Sequence, residues 1–178
     1  DKIQKALWLL KINLIPQKRL VLKTMQQWFD NYSVSHQNKT NQKIHLFCVP
    51  IIYFSIVGLL MCIPPTFLKD LLNEDVPLLE NWAVLISVLV LLFYLRLDLL
   101  VFVQMLLFSL FCLLANFALQ KAFNLRNFSL VLFSLGWIGQ FYGHKIEGKK
   151  PSFVEDIQFL LIGPAWVFKK LFGHRYKN

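Results

Sequence analysis

Residues 99–119, LLVFVQMLLFSLFCLLANFAL, contain no charged side chain. A helix of this length rises about 30 Å, which is close to the thickness of the hydrocarbon core of a bilayer. A run this long and this apolar is typical of a transmembrane helix. The segment therefore predicts that the chain is a membrane protein.

The composition of the whole chain supports this prediction. Hydrophobic residues make up 56% of the sequence and charged residues only 16%, whereas charged residues alone are about a quarter of a typical soluble domain. A length of 178 residues suits one domain. We therefore predict an all-α fold, a polytopic membrane helix bundle that forms a single domain over residues 1–178. About four transmembrane helices are predicted, at 42–63, 78–95, 99–119 and 127–143.

Both ends of the chain are predicted to lie at the membrane surface. Residues 3–14 place apolar side chains at three- and four-residue spacing among lysines, which indicates an amphipathic interfacial helix. A second polar helix is predicted over residues 18–32, with Tyr32 at the level of the lipid headgroups. The apolar stretch near the C-terminus is short for a span, so we predict a half-embedded helix that breaks near Gly163 and Pro164.

The net charge of +9 is concentrated before residue 44 and after residue 144. Lysine and arginine beside transmembrane helices favour the cytoplasmic side, so both termini are predicted to be cytoplasmic. This explanation of the basic charge leaves no reason to expect nucleic acid as a partner. It also places the start of the first span and the end of the fourth span on the same face of the membrane.

That shared face carries three of the four histidines, His36, His45 and His144. On one continuous helix His36 and His45 would point in opposite directions, because nine residues at about 100° each separate them. A loop that ends at Asn41, acting as the N-cap of the first span, would let both face one point. His174 lies in the basic C-terminal tail and is expected to be solvated.

A polar stripe on the fourth predicted span ends at the same face. Glu147 lies three residues after His144, and Gln140 and Trp137 lie about one and two turns before it. Imidazoles with or without one carboxylate suit Fe(II), Zn or Mn, and their spacing does not choose among these metals. The alternative is purely structural, because a histidine or glutamate near a helix end can extend into the headgroup region at little cost.

Two separated patterns in these segments resemble the Mpo-type family, long known only as a domain of unknown function. The first pattern is a histidine, four residues, an asparagine, three residues, a histidine and then a proline, seen here at His36, Asn41, His45 and Pro50. The second reads W, two residues, QF, two residues, H, two residues, E, three residues and P. In this chain it is filled by Trp137, Gln140, His144, Glu147 and Pro151.

The resemblance covers residues 24–176 and leaves 1–23 as an N-terminal amphipathic extension. It implies an Fe(II)-dependent dioxygenase that shortens 2-hydroxy fatty acids by one carbon, a fatty acid α-oxidation, with O2 and membrane lipids as further partners. By this likeness His36, His45 and His144 are the candidate iron ligands. Glu147 is expected to take part in catalysis, either as a further ligand or as a hydrogen-bonding base behind an imidazole.

The remaining motif residues, Asn41, Trp137 and Gln140, are expected to surround the ligands and shape the site. A substrate carboxylate would lie near the lysines that follow His144, at positions 145, 149 and 150, although Lys145, Lys149 and Lys150 also suit topology or lipid phosphate contacts. The resemblance implies an integral membrane protein, of the inner membrane in a bacterium or of the endoplasmic reticulum in a eukaryote.

Two other functions fit the same residues. A zinc-dependent membrane lipid hydrolase would use metal-bound hydroxide as the nucleophile and Glu147 as the general base. A noncatalytic lipid-binding or scaffold protein would use the polar stripe only to pack helices or to bind headgroups.

Overall fold

The computed structural model describes residues 23–72, 80–148 and 153–173, and the regular elements within these ranges are all α-helices. The all-α prediction is thus confirmed for the described part of the chain, whereas the helix predicted over 3–14 lies outside it. In chain order the helices are α1 (Met25–Val34), α2 (Lys39–Met61), α3 (Thr66–Leu72), α4 (Trp82–Leu97), α5 (Leu99–Leu119), α6 (Leu125–Glu147) and α7 (Phe153–Phe172).

Two of these helices, α2 and α5, are long and apolar enough to cross a membrane. The α4 helix is apolar but has only 16 residues, and the polar residues of α6 lower its hydropathy. Large apolar side chains such as Leu107, Phe111 and Leu114 point outward from α5 and are more than half exposed, as suits a lipid-facing surface. The four predicted spans are all helices, and crossing by all four stays a prediction.

The α2 and α6 helices form the most extensive helix pair among the described residues. Their close approach depends on glycines of α6 at three- and four-residue spacing, which lie on one face. A Cβ atom at Gly136 would lie 2.6 Å from Cγ1 of Ile52, and one at Gly139 would overlap Sγ of Cys48. Small residues at such a seam let two backbones approach closely enough for van der Waals packing in an apolar solvent.

The start of α2 differs from the prediction. Asn38, not Asn41, is the N-cap, because its side-chain oxygen accepts hydrogen bonds from the backbone N–H groups of Thr40 and Asn41. Asn41 itself is fully buried within the first turn of the helix. The predicted separation still holds, since His36 precedes the cap and His45 follows it.

The predicted break in the C-terminal helix is wrong, because α7 continues through Gly163 and Pro164. Packing compensates for the hydrogen bond that proline removes. The helix packs on α1, α2 and α5, and a Cβ at Gly163 would lie 3.1 Å from Val49 of α2. The Tyr94 hydroxyl of α4 also donates a hydrogen bond to the carbonyl of Leu161.

Gly136, Gly139 and Gly143 of α6 form the contact with α2 that we call the glycine seam, and this contact gives a direct test of the packing. We expect Gly136→Leu to lower the free energy of unfolding by about 1–3 kcal/mol, because the new side chain must displace Ile52. The matched control is Ile138→Phe, which enlarges a side chain on the same helix that is 63% exposed. Thermal unfolding in detergent measures both, and an equal effect of the two substitutions would contradict a tight seam.

Candidate metal centre

Three separate elements bring His36, His45 and His144 together. His36 lies in the short loop between α1 and α2, His45 in the second turn of α2, and His144 in the last turn of α6. One nitrogen from each ring lies within 4.8 Å of the others. All three side chains are buried, with 4% or less of their surface exposed.

Backbone carbonyls orient two of the imidazoles. Nδ1 of His36 lies 2.7 Å from the carbonyl oxygen of Tyr32, and Nδ1 of His45 lies 3.0 Å from that of Asn41. A carbonyl oxygen only accepts, so each Nδ1 carries the hydrogen and donates it. The lone pair is therefore left on Nε2, and Nε2 of His45 is buried with no hydrogen-bond partner among the described residues.

This arrangement fits a metal ion. An imidazole that binds a metal through one nitrogen normally donates its other N–H to a carbonyl or carboxylate, as His36 and His45 do here. Ligand nitrogens about 2.1 Å from one ion lie roughly 3–4 Å apart. The ring nitrogens of the three histidines lie within 4.8 Å of one another, and small rotations of the rings would bring them to this spacing. The donor set is one that Fe(II), Zn and Mn accept.

Glu147 contacts the beginning of α2 rather than the three-histidine group. One carboxylate oxygen accepts the backbone N–H of Gln37 at 2.7 Å, and the other accepts the N–H of Asn38 at 2.9 Å. The side-chain amide of Asn41 donates a further hydrogen bond at 3.0 Å. We call this group of contacts the Glu147 clamp. It joins the end of α6 to the loop that carries His36 and to the N-terminus of α2.

The clamp also governs the charge of Glu147. Burial raises the pKa of its carboxyl group, but the hydrogen bonds from Asn38, Asn41 and Gln37 outweigh this effect, so the pKa lies below its ordinary value of 4.5. The negative charge is also favoured by the partial positive charge at the N-terminus of α2. Glu147 is therefore ionised at neutral pH.

Asn41 connects the clamp to the histidines. Its amide nitrogen donates to Glu147, and its carbonyl oxygen accepts from Nδ1 of His45. A Cβ atom at Gly143 would overlap Oδ1 of Asn41, so this part of α6 must carry glycine for the two helices to meet. Asn41 therefore holds Glu147 and His45 in position and does not cap α2.

The histidines line one end of a cavity of about 30 Å³. This volume holds a metal ion with small ligands, since about 10–15 Å³ on the same measure holds one water. Apolar side chains form much of the remaining wall. The lining residues are Tyr32, His36, His45, Val49, Ile52, Trp137, Gln140, His144 and Leu160.

Tyr32, which the sequence predicts at the level of the lipid headgroups, packs inside the protein beside the histidines. Its side chain is 3% exposed, and its ring stacks on His36 with the centroids 4.0 Å apart. Trp166 of α7, which no pattern indicated, is also buried and lies 5.8 Å from the His36 ring. The spacing of four residues between Tyr32 and His36 is the sequence feature that could have predicted their contact.

The predicted lysine contacts fall mostly outside the described residues. Lys149, Lys150, Pro151 and His174 are not described, and Lys145 is exposed. The described cavity lining includes no lysine or arginine. A role for these lysines in binding a carboxylate stays a prediction.

A family model described as 2-hydroxy-palmitic acid dioxygenase Mpo1-like matches residues 22–175 of the chain. The chain belongs to the Mpo1-like family. One relative, the 2-hydroxy-palmitic acid dioxygenase MPO1 of Saccharomyces cerevisiae, is 31% identical over 144 residues, which are 79% of this chain and 76% of the relative. No solved structure matches the chain.

The family resemblance predicted from the two sequence patterns is thus confirmed. In this Mpo1-like chain the two patterns, far apart in sequence, meet at one corner of the helix bundle. The first supplies His36 and His45 and the second supplies His144. The asparagine of the first pattern binds the glutamate of the second.

The Glu147 clamp predicts a pH-dependent contribution to stability. Because the pKa of Glu147 is lower in the folded protein than the ordinary value of 4.5, ionisation of its carboxyl group stabilises the fold above pH 4.5. This stabilisation is lost as the pH falls through the pKa of the folded state. We expect Glu147→Gln to lower the free energy of unfolding by about 2 kcal/mol at pH 7 through the lost charge-assisted hydrogen bonds.

Thermal unfolding of the wild-type protein and of Glu147→Gln between pH 7 and acidic pH checks this expectation. The difference between their Tm values should become smaller on acidification. Asp70→Asn removes an exposed carboxylate from α3 and serves as the control. A Tm difference that is the same at all pH values would contradict a stabilising role for the charge of Glu147 in the clamp.

Proposed function

We propose that the protein is an iron-dependent dioxygenase that removes C1 from 2-hydroxy fatty acids at the membrane interface. The observation that carries the proposal is the buried group of three imidazoles around one cavity. Membership of the Mpo1-like family and a relative named as a 2-hydroxy-palmitic acid dioxygenase support the reaction class.

The overall reaction balances without an added reductant. A 2-hydroxy acid and one O2 give the fatty acid one carbon shorter, one CO2 and one water. Breaking the C1–C2 bond and oxidising C2 to a carboxyl group releases four electrons, and O2 accepts all four. This is consistent with a site that holds a metal but needs no organic cofactor.

His36, His45 and His144 would hold the ion through one ring nitrogen each. Bound Fe(II) would supply the redox chemistry that couples reduction of O2 to oxidation of the substrate carbon. The backbone carbonyls of Tyr32 and Asn41 keep two of the rings in the tautomer that leaves Nε2 as the ligand atom. The Glu147 clamp holds the loop that carries His36 against α6, which carries His144.

The cavity, of about 30 Å³, is too small to hold an acyl chain. Its apolar lining, Val49, Ile52 and Leu160, would exclude water from the reacting atoms. The chain of the substrate would then extend between the helices toward the hydrocarbon, with the headgroup at the cytoplasmic face. Exposed Lys145, next to His144 in sequence, would attract the carboxylate during entry.

The hydrolase alternative is less well supported. It requires Glu147 as a general base, and a base works best with a pKa near the operating pH. Hydrogen bonds from two backbone N–H groups and one amide engage this carboxylate and lower its pKa. Glu147 is therefore better suited to hold the loop than to accept a proton.

Metal content and oxygen uptake test the proposal together. We expect protein purified without oxygen to contain iron and to consume O2 when a 2-hydroxy fatty acid is added. His45→Ala and His144→Ala should each lower the rate by at least about 100-fold, since even loss of a residue that supports a ligand costs 10- to 100-fold. His174→Ala, a histidine outside both sequence patterns, is the matched control.

Zinc in place of iron, with no uptake of O2, would contradict the dioxygenase and favour a hydrolase. Protein that contains no metal and is unchanged by His45→Ala and His144→Ala would contradict both enzymes and favour a lipid-binding role.

Removal of the metal gives an independent measurement. A ligand that binds only the folded state raises its stability, so a chelator should lower the Tm of the wild-type protein. His45→Ala should show a smaller shift, because its site is incomplete. Equal shifts in the two proteins would place the chelated metal elsewhere.

A further inference from the structure

Gln140 occupies a distinctive position in the cavity. It lies on α6 one turn before His144, on the same face of the helix. Its side chain is 9% exposed and lines the cavity beside the histidines. The neighbouring walls include Val49, Ile52 and Leu160, whose side chains offer no hydrogen bond.

The carboxamide of Gln140 forms no hydrogen bond with other residues in the described part of the chain. Its polar atoms keep some accessible surface in the cavity that Gln140 lines, so a molecule in the cavity can reach them. Asn41, another buried amide nearby, is bound to Glu147. The difference indicates that the partner of Gln140 is a molecule that enters the cavity.

The chemistry of the carboxamide suits a particular headgroup. Its N–H groups donate to a carboxylate oxygen, and its carbonyl oxygen accepts from a hydroxyl group. A 2-hydroxy acid carries both groups on adjacent carbons. No lysine or arginine is among the described residues that line the cavity, so beside the metal ion a neutral donor such as this carboxamide is available to contact the carboxylate.

We propose that the carboxamide of Gln140 hydrogen-bonds the 2-hydroxy carboxylate headgroup of the substrate and selects it. This inference rests on the proposed function and extends it to a residue that binds substrate rather than metal. A site that offers a buried hydrogen-bonding group to a substrate rejects analogues that leave this group unpaired. Gln140 would thus favour a hydroxylated headgroup in a cavity with largely apolar walls.

The test is equilibrium binding to protein loaded with Zn(II), which occupies the site without reducing O2. The probes are a 2-hydroxy fatty acid and the unsubstituted fatty acid of the same length. We expect Gln140→Leu to weaken binding of the 2-hydroxy acid by about 10- to 100-fold through loss of hydrogen bonds to the headgroup. The zinc stoichiometry should stay unchanged, which also shows that the variant is folded.

Gln120→Leu is the matched control, because Gln120 is exposed at the end of α5. Gln140→Glu has nearly the same size as the wild-type side chain but repels a carboxylate while still accepting from a hydroxyl. Equally weaker binding of both acids to Gln140→Leu would identify the carboxylate as the contact and overturn selection of the hydroxylated headgroup. Weaker binding of the 2-hydroxy acid alone would identify the hydroxyl.

Unchanged affinities for both acids in Gln140→Leu and Gln140→Glu, with zinc retained, would overturn the inference. So would a wild-type protein that binds neither acid. Oxygen uptake by the iron-loaded protein separates this result from the proposed function. Uptake with an unchanged KM in Gln140→Leu would refute only the inference, whereas Gln140-dependent binding without any uptake by the wild type would refute only the reaction.

Discussion

The carboxylate of Glu147 determines how the two halves of the site meet. It accepts hydrogen bonds from backbone N–H groups of Gln37 and Asn38, which are 110 and 109 residues away in sequence. These N–H groups lie just before α2 and would otherwise lack helical partners. One charged side chain thus accepts hydrogen bonds from N–H groups at the start of α2, fixes the loop that carries His36 and sets the position of α6.

The glycine seam makes this contact available. Gly136, Gly139 and Gly143 allow α6 to lie directly against α2, so that residues in the last turn of α6 reach the first turn of α2. Asn41 fills the space beside Gly143 and binds both Glu147 and His45. Apolar packing along the seam and polar contacts at its end therefore depend on each other, and neither would position the histidines alone.

The residues of the site are easier to predict from the sequence than the contacts that connect them. The uncharged run of α5 predicted its helix with the same bounds, because nothing within or beside the run competes with helix formation in an apolar environment. The histidines are expected to converge because topology places their segments on one face, and the structure brings them together.

The N-cap of α2 cannot be predicted in the same way. The sequence favours Asn41, although Asn38 offers the same side-chain chemistry three residues earlier. Local sequence could not choose between two asparagines, since the choice depends on which one α6 covers. The continuity of α7 through Pro164 depends likewise on packing against α2, and the burial of Tyr32 reflects the cover that α7 provides.

The two carbonyls that orient His36 and His45 belong to residues four positions earlier in the chain. The direction of each of these imidazoles therefore depends on a carbonyl only four residues away, whereas their meeting with His144 requires α6 to dock. During synthesis, the imidazoles of His36 and His45 could already be oriented by these carbonyls before His144 is made. If the protein binds a metal as proposed, an ion held by all three would mark the completion of the bundle, and metal loading would depend on correct assembly of the helices.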